Sequence, residues 1–179
     1  MKLLLSQEEH IKFTRPFDAL ERNYYKFLSK HDIIPCPNII KVPDNEYDCL
    51  LLTGGPDSIA RHQTEDLLYK HAFENKKPII GICHGAFVIN DLNGGTHGRV
   101  DGHVDADVTI TMEGQEHVVK CFHSQSIETL AKDFVAIAHD KQGNIEAFKH
   151  NKLPIYGIVW HPERMDEPVL PTEVKKLLD

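Results

Sequence analysis

At 179 residues the chain has the size of one domain, with no room for a second catalytic unit. Hydrophobic residues at 41%, charged residues at 26%, 11 Gly and 10 Pro exclude a disordered, collagen-like or coiled-coil chain. Asp and Glu, 27 together, outnumber the 20 Lys and Arg, and the net charge of -7 gives neither nucleic acid nor an anionic membrane a reason to bind.

The first apolar run, Met1–Leu5, is followed by Ser6-Gln7-Glu8-Glu9, too short and too acidic for a leader, and no run approaches the roughly 20 apolar residues of a membrane span. A cytoplasmic protein is expected. In chain order, apolar and β-branched stretches predict strands at 2–5, 33–40, 47–53, 78–83, 108–112, 117–122, 134–138, 145–148 and 155–160. Helical spacing predicts helices over 17–30, where Phe17, Leu20, Tyr24, Phe27 and Leu28 recur on one face, over 64–75 and over 86–92. Alternating strands and helices point to an α/β fold, an open and mostly parallel sheet flanked by helices. Turn signals at Glu113-Gly114 and at 141–144 then predict antiparallel hairpins added to its edge. Nothing divides the chain, so residues 1–179 read as a single domain. The mixed charges of 61–70 and 173–179 read as solvated faces.

Cys36, Cys49, Cys83 and Cys121 form no CxxC pair, so each is an individual thiol. Cys83 stands out. In Gly81-Ile82-Cys83-His84-Gly85 a strand meets a helix through a Gly-x-nucleophile-x-Gly turn, which holds the nucleophile in a strained conformation and aims its sulfur at the helix N-terminus. Later, His161-Pro162-Glu163 projects residues 161 and 163 to one side of the chain, where the carboxylate can hold the imidazole. The three supply a nucleophile (Cys83), a general base and acid (His161) and an orienting charge (Glu163). The double glycine of Thr53-Gly54-Gly55-Pro56-Asp57 can present a backbone N–H that, with that of His84, makes an oxyanion hole. Twelve His raise the question of a metal, but the spacing of His97, Asp101, His103, Asp105 and Asp107 fits no zinc or EF-hand pattern; no metal and no cofactor is expected.

Thr53–Asp57, Gly81–Gly85, Leu92-Asn93-Gly94-Gly95, Phe122-His123-Ser124-Gln125-Ser126-Ile127 and 157–163 resemble, in order, the landmarks of class I glutamine amidotransferases. Phe17-Asp18-Ala19-Leu20-Glu21-Arg22, Pro35-Cys36-Pro37-Asn38 and the length are most similar to the free-standing γ-glutamyl hydrolase branch, of the γ-glutamyl-γ-aminobutyrate hydrolase type. The resemblance implies a three-layer α/β fold, a γ-glutamyl thioester on Cys83, Gly55 and His84 as oxyanion donors, and a substrate pocket lined by Gly54, Phe87, His123, Ser124 and Gln125. Where the family usually has Gln to hold the amino-acid end of glutamine, this chain has Phe87.

Hydrolysis of a γ-glutamyl amide, or of glutamine, is therefore the expected activity. Two alternatives stand beside it. One is a glutaminase subunit that passes ammonia to a separate synthetase or amidoligase partner. The other rests on Ile82-Cys83-His84-Gly85, which also resembles the elbow of PfpI-like proteins and implies a redox sensor or chaperone-like protein; the late His161-Pro162-Glu163 argues against it.

Overall fold

Leu3, Leu4 and Leu5 are all fully buried, yet they belong to two cores: Leu3 and Leu5 pack on one face of the sheet, Leu4 on the other. Successive side chains of a strand point to opposite faces, so a continuous apolar run marks a strand covered on both sides. The computed structural model describes residues 1–43 and 46–179.

The main sheet holds nine strands in the order β4-β1-β5-β6-β13-β12-β11-β8-β9. Its parallel half consists of β1 (Lys2–Ser6), β4 (Asp32–Cys36), β5 (Cys49–Leu52), β6 (Ile79–Ile82) and β13 (Ile155–Ile158). The antiparallel half, β8 (Val104–Met112), β9 (Gln115–Phe122), β11 (Phe134–Asp140) and β12 (Ile145–His150), extends it from β13. This is the expected architecture. Glu113 and Gly114, at φ 52° and 78°, make the left-handed two-residue turn between β8 and β9 that the sequence signalled. One core contains Tyr24, Leu51, Ile82 and Trp160 with α1 (Arg22–Phe27) and α4 (Thr172–Leu178); the other contains Leu50, Leu68, Ala86 and Ile89 with α2 (Ile59–Glu74) and α3 (His84–Leu92).

Several expected boundaries move. The helix expected over 17–30 is instead β3 (Arg15–Ala19) followed by the short α1, because residues 15–19 pair with β2 (Glu8–Lys12) in a ribbon of their own. The turn of that ribbon holds Phe13 and Thr14 at φ 51° and 63°. The strand expected to reach residue 40 stops at Cys36, between Pro35 and Pro37, and residue 38 turns away to hold Asp18. The last strand ends at Ile158 rather than 160. A second unexpected ribbon joins β7 (Thr96–Arg99) to β10 (Gln125–Thr129). Helix α2 begins at residue 59, capped by the Ser58 hydroxyl, which accepts from the Arg61 N–H at 3.1 Å. Its face is not the solvated one expected from its charges: Arg61 and Glu65 are fully buried.

Parallel register brings the sequence landmarks together. Leu52 pairs with Gly81 and Gly81 with Gly157, so the chain segments leaving β5, β6 and β13 emerge side by side at the carboxyl ends of three adjacent strands. Open α/β sheets bind their ligands at that edge.

Candidate active site

Cys83 sits between β6 and α3 at φ 47° and ψ -104°, a conformation that L residues rarely adopt. Its neighbours permit it. A Cβ on Gly81 would lie 2.5 Å from the carbonyl carbon of Gly85, and one on Gly85 would lie 2.2 Å from the carbonyl oxygen of Leu52. The Cys83 N–H donates to Ile158 at 2.8 Å and the Gly85 N–H to Thr53 at 3.2 Å, which ties the elbow to both neighbouring strand ends. His84 opens the helix, so its N–H has no intrahelical acceptor.

His161 lies beyond β13, where its N–H donates to the carbonyl of Lys120 on β9 at 2.8 Å. Its Nδ1 meets Glu163 Oε1 at 2.6 Å, and it is hydrogen-bonded to the Cys83 sulfur. Burial works against a charge on this ring, but the hydrogen bonds to Cys83 and Glu163, together with their charges, raise its pKa to about 9. Phe122 meets the imidazole edge-on at 6.0 Å, and the Arg164 guanidinium covers Phe122 at 4.7 Å from the ring centre. Arg164 is itself clamped by Glu21, with Nη2 to Oε2 at 2.8 Å. Thiol, imidazole and carboxylate form a relay that can move a proton between sulfur, leaving group and water.

Gly54 packs against this relay: a Cβ there would lie 2.7 Å from His161 Cε1 and 3.5 Å from Cys83 Cβ. Its N–H donates to the Tyr24 hydroxyl at 2.8 Å. Gly55, at φ 112°, has a backbone conformation that a side chain would strain, and a Cβ there would displace the Glu8 side chain of β2, 2.5 Å away. A cleft of about 510 Å³ opens in front of Cys83, with Gly55 and His84 at its base and Phe87, His123, Ser124 and Gln125 along its walls. Gly55, Cys83, His84, Phe87, His123, Ser124 and Gln125 thus line one cleft; His161 lines a smaller adjoining hollow with Gly55 and Cys83, and Gly54 and Glu163 line neither but touch the His161 ring. Phe87 also belongs to the core between α3 and the sheet, and its ring meets those of His97 at 5.0 Å and His123 at 6.1 Å.

What the sequence did not reveal is the buried scaffold beneath the cleft floor. Arg61 donates to the carbonyl oxygens of Thr53 (2.7 Å), Gly54 (3.1 Å) and Pro56 (2.9 Å), and its Nε donates to Glu65 at 2.9 Å. Glu65 also accepts from the Ser6 hydroxyl at 2.7 Å and lies 2.8 Å from His84 Nε2. Burial pushes the Glu65 carboxyl upward, but the hydrogen bond to His84 and the charges of Arg61 and His84 outweigh it and hold its pKa below the usual range. One network therefore fixes the Gly54-Gly55 loop and His84, the residue after Cys83. A signal existed: residues 61, 65, 68 and 72 follow helical spacing, and the last two, Leu68 and Ala72, are apolar.

With this geometry in place, comparison with known proteins gives the class. The model of the family "Glutamine amidotransferase class-I" matches residues 17–176, and the chain belongs to that family. It is 31% identical over 139 residues to the glutamine-hydrolyzing GMP synthase subunit of Methanosarcina acetivorans, covering 71% of each chain. It is 31% identical over 124 residues to the gamma-glutamyl-CDP-amidate hydrolase of Campylobacter jejuni, covering 64% of this chain and 62% of that one. Against the glutamine-hydrolyzing GMP synthase of Spiroplasma kunkelii it is 32% identical but spans only 25% of that protein. A solved structure from Thermoplasma acidophilum, of a candidate GMP synthase subunit, superposes with a TM-score of 0.75 at 21% identity, over 99% of this chain and 92% of that one, which supports the fold. Members of this family hydrolyse amides, glutamine among them. No helix among the described residues is long and apolar enough to cross a membrane.

Proposed function

We propose that this protein is a cytoplasmic hydrolase of γ-glutamyl amides, built as one domain and working through Cys83, His161 and Glu163. The Cys83 sulfur attacks the side-chain carbonyl while the N–H groups of Gly55 and His84 receive the developing oxyanion. As the C–N bond breaks, His161 gives its proton to the departing nitrogen, leaving a γ-glutamyl thioester. His161 then takes a proton from water, the hydroxide attacks the thioester, and glutamate leaves as the thiol is restored. Glu163 holds the ring in register and stabilises its charged form. The observation that carries this reading is the 2.6 Å pairing of His161 with Glu163 beside a cysteine held at φ 47°.

The aromatic wall at Phe87 favours a γ-glutamyl amide with a substantial leaving group over free glutamine, because a ring replaces the polar anchor and apolar contacts must orient the substrate. A second reading, ammonia delivery to a synthetase, is favoured by the glutamine-hydrolysing proteins among the relatives and by the β2–β3 ribbon beside Gly55, which exposes Ile11, Phe13 and Phe17. The deciding experiment incubates the purified protein with glutamine and a panel of γ-glutamyl amides, following released amine and the mass of the Cys83 adduct. A transient γ-glutamyl adduct, absent in Cys83→Ala, with faster turnover of a larger amide is expected. No turnover and no adduct on any γ-glutamyl amide or glutamine, with or without a synthetase, would discard both readings.

A further inference from the structure

Beside the cleft, four side chains converge on a buried carboxylate that the proposed reaction does not use. Glu146, on β12, is 1% exposed. Its Oε1 lies 3.3 Å from His103 Nε2, and the same nitrogen lies 3.2 Å from Asp140 Oδ2. Its other oxygen faces His123 Nε2 at 3.5 Å and the Cys121 thiol at 3.9 Å.

The two imidazoles are oriented from outside the cluster. His103 Nδ1 lies 3.2 Å from the carbonyl oxygen of Asp101, and His123 Nδ1 lies 2.7 Å from that of Gln125. A carbonyl oxygen only accepts, so each Nδ1 carries a hydrogen, and Nε2 is the ring atom turned toward the carboxylate oxygens and free to ligate. Lone pairs facing one another across that gap repel unless something positive lies between them. A shared proton would draw such a pair together, as in His161–Glu163 at 2.6 Å and His84–Glu65 at 2.8 Å. Here the separations are longer, and neither Nε2 has a partner in hydrogen-bonding geometry although both rings are buried.

The longer separations have a direct meaning in coordination chemistry: nitrogen and oxygen ligands about 2.0–2.1 Å from a tetrahedral ion stand roughly 3.3 Å apart. The distances of 3.2 and 3.3 Å around His103 Nε2 match that edge. Asp140 is already held for such a task. Its Oδ1 accepts from the backbone N–H groups of Gln142 and Asn144 at 2.9 and 2.8 Å, and its Oδ2 accepts from the Asn144 amide at 2.7 Å. A divalent ion also offsets the charge of two carboxylates withdrawn from water.

We infer that His103 Nε2, Asp140 Oδ2 and Glu146 Oε1 form a binding site for a divalent transition-metal ion, zinc by its mixed nitrogen and oxygen donors, with a fourth position left to water. The three ligands come from the loop before β8, the end of β11 and β12, so no local spacing announces them. The ion would brace the catalytic cleft. His123, a cleft wall residue, donates its N–H to the His103 carbonyl at 2.9 Å, and the Glu146 carbonyl accepts from Val159, two residues before His161, at 2.8 Å.

The test uses the full chain, stripped with a chelator and dialysed against zinc chloride, with bound metal quantified and the ring nitrogens followed in imidazole 15N spectra of the wild type. One zinc per chain is expected at micromolar concentration, with the His103 Nε2 resonance shifted and its Nδ1 still protonated. Asp140→Asn and Glu146→Gln, checked for folding by circular dichroism, should each weaken binding at least about tenfold. The inference is overturned by the absence of zinc at tens of micromolar, by shifts confined to exposed histidines such as His10, or by a shift at His123 without one at His103. The wild-type spectrum assigns the ligands even if a variant does not fold.

Discussion

Gly54→Ala tests the catalytic geometry with a single methyl group. Gly54 carries no unusual φ, so alanine meets no backbone strain there, and the polar groups of the relay are all retained. The added Cβ, however, would lie 2.7 Å from His161 Cε1, about 0.8 Å short of ordinary carbon–carbon contact. The same Cβ would come within 3.3 Å of Nδ1, which Glu163 holds at 2.6 Å, and Phe122 packs against the ring, so the imidazole must rotate or shift out of its present placement between Glu163 and Cys83. Misplacement of a catalytic group by about 1 Å costs about 10²-fold in rate. Crowding one methyl into a packed site costs about 1–3 kcal/mol of stability. We therefore expect kcat on the best γ-glutamyl amide to fall about a hundredfold, with a modest drop in Tm and an unchanged far-ultraviolet spectrum. Single-turnover kinetics should show slower formation of the Cys83 adduct. Wild-type kcat in a folded Gly54→Ala protein would refute the assignment of His161 as the proton carrier.

Further outcomes follow from the same contacts. Cys83→Ala should abolish turnover and also lower the pKa of His161 from about 9, since the sulfur is among the groups that raise it; an imidazole proton or carbon titration reads this directly. Because the folded pKa of His161 is raised above 6.5, its stabilising contribution is complete below about pH 6.5 and disappears as the pH climbs through about 9. Over that interval the His161 contribution amounts to about 3 kcal/mol, and His161→Gln should flatten this part of a stability-against-pH curve. Arg61→Met leaves Glu65 buried without its cation and frees the carbonyls of Thr53, Gly54 and Pro56; an unfolding titration should show a loss of about 3–5 kcal/mol. Phe87→Gln should raise kcat/KM on glutamine relative to a larger γ-glutamyl amide while lowering Tm, because the ring is both cleft wall and core.

The parallel half of the sheet was legible because its strands are short with apolar centres, and Leu3–Leu5, Cys49–Leu52 and Ile79–Ile82 occupy the positions their patterns imply. The nearness of Cys83, His161 and Glu163 was legible for a different reason: the glycine flanks of Cys83 mark a strand-to-helix turn, and His161 and Glu163 are close in sequence, although they meet through a 3-10 turn over Pro162–Arg164 rather than along the extended run expected. The β2–β3 ribbon was not legible. Phe17, Leu20 and Tyr24 share a helical spacing, but residues 15–19 are taken by pairing with Glu8–Lys12, a non-local choice that single-residue periodicity cannot weigh. Arg61 and Glu65 were misread for a related reason. A charged pair four residues apart usually lies in water, and it takes the carbonyls of the Thr53–Pro56 loop on Arg61, with the Ser6 hydroxyl and His84 on Glu65, to make burial of this one favourable.

These two kinds of legibility divide the site by task. The groups proposed to react leave the ends of β5, β6 and β13, strands locked in register and buried on both faces, and the Arg61–Glu65 network holds the loop and the helix start between them. The walls proposed to meet the remainder of a substrate are Phe87 and the segment from His123 into the β7–β10 ribbon, which forms a two-stranded sheet apart from the main one. A rotation at Phe87 or a change along β7 can therefore alter which amine is accommodated without moving the sulfur, the imidazole or the oxyanion donors. Substitutions in the walls should act chiefly on KM and on the ranking of substrates, whereas substitutions in the network beneath should act on kcat for every substrate alike, because the geometry they disturb is common to all of them.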